Sequence, residues 1–321
     1  MAKTKSIAGI LGEARRHLPR AFGSILAQGS KTGLRFGDRL FRRLTLAFAF
    51  SIVALTLLIA YELYRNSVLS IGKFGWGFFW SSTWDPVFQN FGALPFLYGT
   101  LVTSFVALAI STPVGLGVAI FLSELAPRWL SDPIAFLVEL LAAIPSVLYG
   151  LIGIFVLVPI MRSLGAPYGV GMLTAGVLLA VMIVPFITSI SREVLMAVPQ
   201  AQREAALSLG ATKWEMTWMA VLPYARSGIV GAIFLALARA LGETMAVTMV
   251  IGNRPEIKLS FLEPGYTMAA VIANEFTEAT YDLYINALVE VGLFLFAVTI
   301  VVNALARLLI LSVAKKVEVR E

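Results

Sequence analysis

The sequence predicts an all-α, polytopic membrane protein with six transmembrane helices, and three observations lead to that prediction. Of the 321 residues, 59% are hydrophobic and 14% are charged, whereas soluble domains average about 45–50% apolar and about 25% charged residues. Six apolar runs are each long enough to cross about 30 Å of bilayer hydrocarbon as a helix. The Lys and Arg residues are also divided unevenly between alternate connecting segments, as is typical of membrane proteins.

The six apolar runs set the predicted domain boundaries. They cover residues 44–61, 98–122, 133–159, 169–190, 228–251 and 286–313. The first run is too long and too far from the amino terminus for a signal peptide, and no small-residue cleavage site follows it. We therefore expect a basic amino-terminal arm of residues 1–43, a transmembrane domain of residues 44–313 and a tail of residues 314–321.

The basic residues predict the orientation of the chain. Of the 25 Lys and Arg residues, 18 lie in the two terminal segments and in the connections after the second and fourth runs, and Arg307, near the end of the sixth run, brings the total on that side to 19. Five lie in the other connections, and Arg239 lies inside the fifth run. Because Lys and Arg accumulate in cytoplasmic segments, we expect both termini and the connection between runs four and five to be cytoplasmic. Membrane topology, and not nucleic-acid binding, then explains the net charge of +6.

The connection between runs four and five predicts a hairpin of two short helices over residues 200–223. Gly210 can end the first helix, because glycine adopts the left-handed cap conformation without strain. The second helix begins near Thr212 and ends before Pro223, and Trp214 and Trp218 share one of its faces because they are four residues apart. A hairpin this apolar on the cytoplasmic side requires a partner surface.

The same hairpin carries the pattern of a known family. Its residues are Glu204, Ala205, Ala206, Gly210, Leu222 and Pro223. Their spacing resembles the EAA signature of permease subunits of bacterial ATP-binding-cassette (ABC) importers, although Ala220 stands where that family usually has Ile. The resemblance implies the type I ABC importer permease fold. It also implies that the hairpin is a coupling helix, which docks into a groove of a separate ATPase subunit.

Four further stretches narrow the resemblance. They are WDPVFQNFGALPFLYGTLVTSFVAL, ELLAAIPSVLYGLIGIFV, ARALGETMAVTMVIGN and ANEFTEA. Together they resemble the phosphate-specific permease family, PstC, over roughly residues 74–313. The resemblance implies a bacterial inner-membrane permease that forms half of a pathway for inorganic phosphate. It also implies three kinds of partner, a PstA-like second permease, a PstB-like ATPase dimer and a PstS-like phosphate-binding protein outside the membrane.

Arg239 and Glu243 are the candidate residues of the substrate pathway. A charge at the centre of a bilayer costs about 2.5–3.5 kcal/mol, so such residues normally face the bundle interior and pair. Four residues apart on one helix, the two share a face, and the arginine fork suits a tetrahedral oxyanion. The alternative is a structural ion pair that neutralises itself. Thr244 and Thr248 are candidate hydrogen-bond donors to the oxyanion, or they bond to their own helix.

Several kinds of chemistry are not expected of this chain. Cysteine is absent, which excludes thiolate catalysis, disulfides and cysteine metal sites, and the single histidine, His17, lies in the basic arm. We expect no metal site and no catalytic residues. The phosphate loop of nucleotide hydrolases is also missing. The chain is therefore expected to bind no cofactor, and the partner ATPase uses the ATP–Mg.

Three other functions remain as alternatives. A permease for molybdate or sulfate would share the EAA signature. An ion-driven secondary transporter usually shows internal repeats and broken helices in matched positions, and neither is evident in the sequence. A membrane-embedded enzyme would need a cluster of His, Asp or Glu at one depth, which the scattered carboxylates do not supply.

Overall fold

The computed structural model describes residues 31–318 and the side chains of residues 37–310. That part of the chain is α-helical apart from short connections and two isolated β-bridges. Residues 1–30 of the predicted arm, which include His17, and residues 319–321 of the predicted tail lie outside the described residues. The remainder of the arm begins the first helix.

The helices are numbered α1 to α14 in chain order. They are α1 Lys31–Arg65, α2 Val68–Phe74, α3 Gly77–Trp80, α4 Leu94–Ile120, α5 Arg128–Ala143, α6 Ser146–Ile152, α7 Val158–Ser163, α8 Met172–Met196, α9 Gln200–Ser208, α10 Lys213–Met216, α11 Leu222–Leu241, α12 Met245–Ile251, α13 Met268–Glu275 and α14 Asp282–Glu318. Three π-helical turns adjoin them. Phe121–Leu125 extends α4, Gly153–Leu157 joins α6 to α7, and Thr217–Val221 joins α10 to α11.

Six helical stretches within the described residues are long and apolar enough to cross a membrane, which confirms the predicted number. They are Gly37–Arg65, Leu94–Leu125, Ser146–Ser163, Met172–Met196, Lys213–Leu241 and Asp282–Ile310. The first, second, fourth and sixth contain most of the corresponding apolar runs. They extend beyond those runs because a helix continues into the polar interface after the hydrophobic stretch has ended.

The third apolar run, 133–159, is not one helix. Helix α5 ends at Ala143, Ile144 is extended with φ −66° and ψ 130°, and α6 begins at Ser146. The cause is Pro145, whose ring disfavours the helical conformation in the residue before it. Helix α5 is therefore a separate amphipathic helix, and the third span begins later than the sequence predicts, at Ser146.

The fifth apolar run, 228–251, is interrupted as well. Helix α11 ends at Leu241, and α12 begins at Met245 after a three-residue break at 242–244. Gly242 opens this break with φ −96° and ψ 1°, and glycine is the weakest helix former after proline. The sequence predicted one continuous span over 228–251, and in this respect the prediction was wrong.

The chain forms two compact units, residues up to Tyr61 and residues from Glu62 onward. In the first unit the described residues belong to α1, with exposed apolar side chains such as Phe48 and Phe50. In the second, α8 is the central helix and packs against α4, α5, α11 and α12. A Cβ added to Gly176 would lie 2.5 Å from Val106 on α4, so a small residue permits this close approach of the two helices.

Candidate functional site

The break at 242–244 separates the two candidate pathway residues. Arg239 lies in the last turn of α11, and Glu243 lies in the break itself. Since the helix stops between them, the expected shared helical face is not formed. Among the side chains that the structure describes, no ion pair joins Arg239 to Glu243. The self-neutralising pair that the sequence left open is thus not present in this conformation.

Arg239 packs on an aromatic ring of the central helix. Its guanidinium carbon lies 4.2 Å from the ring centroid of Phe186 on α8, and such a cation–π contact contributes about 0.5–2 kcal/mol. The side chain is exposed, and it donates no hydrogen bond within the described part of the chain. Stacking uses the face of the planar group, so the N–H donors at its edge are available to another acceptor.

The three remaining candidates at the break bond to their own backbone. A Glu243 carboxylate oxygen accepts a 3.4 Å hydrogen bond from the Ala246 amide in the first turn of α12. The Thr244 hydroxyl donates to the Gly242 carbonyl at 3.3 Å, and the Thr248 hydroxyl donates to the Thr244 carbonyl at 2.8 Å. The two threonines therefore support the local backbone, which is the usual behaviour of threonine in helices.

The two interrupted apolar runs pack against each other through α6 and α12. A Cβ added to Gly150 of α6 would lie 2.4 Å from the Met249 sulfur of α12. The hydroxyl of Tyr149, also on α6, donates to the Leu141 carbonyl at the end of α5 at 2.8 Å. Irregular backbone at membrane depth is tolerated where protein buries it or where it lines a water-filled cavity. Sequence reasoning missed Tyr149 and Phe186, because an aromatic residue in an apolar run has no distinguishing signal.

The hairpin at 200–223 has the turn and the second-helix start that the sequence predicts, but its second helix does not end before Pro223. It continues through the π-helical turn Thr217–Val221 into α11, and Pro223 lies in the first turn of α11, where proline is tolerated. Gly210 has φ +89°, a conformation that glycine adopts without cost and other residues adopt with difficulty. The second helix begins with a capping box, in which Thr212 and Glu215 each bond to the other's backbone amide. Trp214 and Trp218 lie edge to face, with ring centroids 5.6 Å apart.

The hairpin has one buried face and one exposed face. Four of its residues, Ala206, Met216, Val221 and Leu222, pack into an apolar cluster with residues of α4, α8 and α11. On the other side Glu204 and Ala205 are exposed, together with Pro223. Large apolar side chains share that exposure, namely Leu207, Leu209, Trp214, Trp218 and Met219. We call the exposed residues 204, 205, 207, 209, 214, 218 and 219 the outer face of the hairpin.

An ion pair that the sequence analysis did not single out holds the hairpin to the bundle. Arg203 on α9 donates two hydrogen bonds to Glu124, at 3.1 Å from Nε and 2.8 Å from a terminal nitrogen. It also donates to the carbonyls of Leu195 and Val198, just at the end of α8. In sequence Glu124 is an ordinary carboxylate in a connection, 79 residues away from its partner, so no local pattern links the two.

At the opposite end of the bundle, several carboxylates of the segment between α12 and α14 are paired with cationic or hydrogen-bonding side chains. Lys258 lies 3.3 Å from Glu256 and 3.6 Å from Glu263. The hydrogen bond that Lys258 donates to Glu256, and then the negative charge of Glu263, raise the pKa of Lys258 above its ordinary value. Glu275 accepts hydrogen bonds from Trp84 and from Tyr284, at 2.7 and 2.6 Å.

Comparison with known proteins gives one family and a set of close relatives. The family described as "Binding-protein-dependent transport system inner membrane component" matches residues 111–318. A "Phosphate transport system permease protein PstC" of Mesorhizobium japonicum is 45% identical, over 86% of this chain and 90% of the relative. Proteins of the same name from Pasteurella multocida and Xylella fastidiosa are 44% and 46% identical, over 87% and 85% of this chain and 93% and 90% of theirs.

Solved structures with the same fold come from an ABC transporter. A chain of the MetNI methionine ABC transporter in an inward-facing conformation has a TM-score of 0.56 and 19% identity. It covers 68% of this chain and 94% of the other. A second crystal form of the same transporter gives a TM-score of 0.54 with 20% identity, and the same coverage. At this level of identity the likeness concerns the fold alone.

Proposed function

Because this chain belongs to the family of binding-protein-dependent transport inner-membrane components, within its PstC branch, we propose that it is the permease subunit of an ABC importer for inorganic phosphate. It is not itself an enzyme. It forms half of the translocation pathway, while a separate ATPase dimer hydrolyses ATP–Mg, a second permease completes the pathway and a soluble protein delivers phosphate. The observation that best supports this proposal is the similarity to a phosphate transport permease, which extends over 86% of the chain at 45% identity.

The hairpin is the surface on which the ATPase acts. Its outer face exposes Leu209, Trp218 and Met219 at 90%, 54% and 75%, and apolar patches of this kind mark interaction surfaces. Glu204 and Ala205 of the EAA pattern belong to this face. Ala206 and Leu222 act from the other side, since they pack the hairpin onto the bundle. With the termini in the cytoplasm, as the basic residues predict, the ATPase meets the hairpin there.

Arg239 is the group that attracts phosphate in the pathway. A charged side chain inside a span costs about 2.5–3.5 kcal/mol if it faces lipid, yet Arg239 is exposed on the surface of this chain. Both facts are reconciled if that surface faces the second permease across a water-filled pathway. Glu243, a few residues further on and unpaired with Arg239, limits how tightly the anion is held.

The test is reconstitution of the full complex in lipid vesicles. We expect phosphate uptake to require ATP, the ATPase, both permeases and the binding protein, and we expect this chain alone to transport none. Robust uptake by the chain alone, driven by an ion gradient, would instead identify a secondary transporter. Uptake of molybdate or sulfate in preference to phosphate, with each anion offered with its own binding protein, would contradict the assigned substrate.

A further inference from the structure

The ion pair between Arg203 and Glu124 lies where the hairpin meets the bundle. Arg203 is on α9, the first helix of the hairpin, and Glu124 is in the π-helical turn that ends the second span. Both guanidinium contacts to the carboxylate are within normal hydrogen-bond distance, at 2.8 and 3.1 Å. This two-point geometry fixes the angle between the groups as well as their distance.

The same guanidinium also binds the end of the central helix. It donates to the Leu195 carbonyl at 2.8 Å and to the Val198 carbonyl. The Leu195 carbonyl also accepts from the Val198 amide at 3.2 Å, and the last turn of a helix leaves carbonyl acceptors that a side chain can satisfy. A positive charge at this end is also favoured by the helix dipole. One side chain thus joins the hairpin, the second span and the fourth span.

The pair is largely shielded from water. The side chain of Arg203 is 14% exposed and that of Glu124 is 4% exposed. The other ion pair near this junction, Arg192 with Asp132, differs in both respects. Its groups are 3.8 Å apart, and the Asp132 side chain is 71% exposed, so salt and solvent screen it.

The rest of α9 contacts little of the bundle. Within this helix no residue is fully buried, and only Arg203 and Ala206 are partly buried. A force applied to α9 must therefore pass to the bundle mainly through Arg203 and through the apolar cluster around Ala206, whereas the second helix of the hairpin continues directly into α11. Apolar contacts allow sliding, because they have no preferred direction. The ion pair is the directional part of the junction.

Helix α8, which accepts a hydrogen bond from Arg203 near its end, also contacts the candidate pathway residue Arg239. Leu195, which accepts from Arg203, and Phe186, which stacks on Arg239, both belong to α8. They are nine residues apart, which is about 13 Å along a helix. Helix α4, which ends at the turn containing Glu124, packs along the length of α8.

We propose that Arg203 and Glu124 are positioning residues that lock the hairpin to the ends of spans two and four, so that a displacement of the hairpin by the ATPase moves α8 and its contact with Arg239. This inference rests on the proposed function, since it assumes that the hairpin is the coupling surface. Neither residue is expected to contact phosphate or ATP.

The test measures coupling in the assembled complex. The variants are Glu124→Gln, Arg203→Gln and Arg203→Lys, with Asp132→Asn as the matched control for loss of an exposed ion pair. For each we would measure ATP hydrolysis with and without phosphate-loaded binding protein, and phosphate transported per ATP. We expect assembly and basal hydrolysis to be kept while transport per ATP falls about fivefold or more, within the usual range of coupling effects. Asp132→Asn should match the wild type.

A charge exchange separates coupling from simple destabilisation. The double variant Glu124→Arg with Arg203→Glu restores opposite charges but not the bonds to the α8 carbonyls, so we expect transport per ATP to recover in part. A variant that merely folds poorly would lower transport and hydrolysis together, in proportion to the assembled complex, and that result would overturn the proposal. Wild-type transport per ATP in assembled Glu124→Gln would overturn it too. If the Gln variants fail to assemble, Arg203→Lys is measured in the same assay. It keeps the charge but loses the two-point geometry, so wild-type transport per ATP in this variant would overturn the proposal.

A failure of the ion-pair proposal can be distinguished from a failure of the proposed function. If the wild-type complex took up another oxyanion and not phosphate, the substrate assignment would fail. The effect of Glu124→Gln on transport of that anion per ATP would still test the ion pair. If loaded binding protein did not stimulate hydrolysis even in the wild type, the ABC importer function itself would be contradicted.

Discussion

Replacement of Arg239 by Gln should separate transport from folding. The guanidinium stacks on Phe186 at 4.2 Å and donates no hydrogen bond within the described part of the chain, and the residue is exposed. Such a contact contributes about 0.5–1 kcal/mol at an exposed site and about 2 kcal/mol when desolvated. We therefore expect the free energy of unfolding to fall by at most about 2 kcal/mol, and the complex to assemble normally.

Transport should respond far more strongly. A hydrogen bond to a charged group contributes about 1.5–3 kcal/mol, and about 1.4 kcal/mol corresponds to a tenfold change in rate. Loss of one such bond to the passing anion would slow phosphate uptake by about 10-fold to about 150-fold. Arg239→Lys keeps the charge but loses the planar array of N–H donors, so we expect a rate of phosphate uptake between those of the wild type and Arg239→Gln.

The assay is the initial rate of ATP-driven phosphate uptake, normalised to the amount of assembled complex. Arg254→Gln is the matched control, because Arg254 also stacks on a ring, that of Tyr168 at 5.1 Å, outside the spans. Uptake by Arg239→Gln within about twofold of the control would refute the role in transport. The double change Arg239→Gln with Glu243→Gln tests the structural alternative, since removal of both members of a purely structural pair is often tolerated. Near-normal uptake by the double variant would favour that alternative.

The remaining predictions concern the hairpin, the orientation and the packing of α4. Gly210→Val should leave the protein in the membrane but abolish the stimulation of ATP hydrolysis by loaded binding protein, because φ is +89°; Gly210→Asn, which tolerates that conformation, should keep it. In intact cells, an impermeant thiol reagent should label a cysteine placed at Ser81 and not one at Ser208, and the reverse would overturn the orientation. Gly99→Ala should lower the melting temperature of the purified protein, because the new Cβ would lie 2.2 Å from a backbone carbonyl oxygen. Gly117→Ala, on the same helix with no atom within 4 Å, should not change it.

The hairpin shows how far local sequence can lead. Gly210 marks its turn, and Thr212 with Glu215 marks the start of its second helix. These features depend on the conformational preferences of single residues and their near neighbours, so the sequence alone was enough to predict them. Which face of the hairpin is buried was not predicted, because that depends on the packing of Ala206 and Met216 against distant helices.

The candidate pathway site was only partly predictable. Arg239 and Glu243 are conspicuous as charges in an apolar run, but their i, i+4 spacing suggested a shared face that the break at 242–244 removes. A glycine inside an apolar helix is compatible with a continuous helix or with a break. The close packing of α12 against α6 at Gly150 accompanies the broken form, and no sequence window contains both segments.

By itself, the sequence determined the number of spans, the presence of the hairpin and the residues that carry charge into the membrane. Each of these can be read from a single stretch of sequence, because the cost of placing a segment in lipid depends on the side chains of that segment. The tertiary structure alone decided that the fifth apolar run breaks at 242–244, that Arg239 stacks on Phe186 and leaves Glu243 without an ion pair to it, and that Arg203 binds Glu124. These are contacts between segments distant in the chain, and their formation depends on how whole helices pack together.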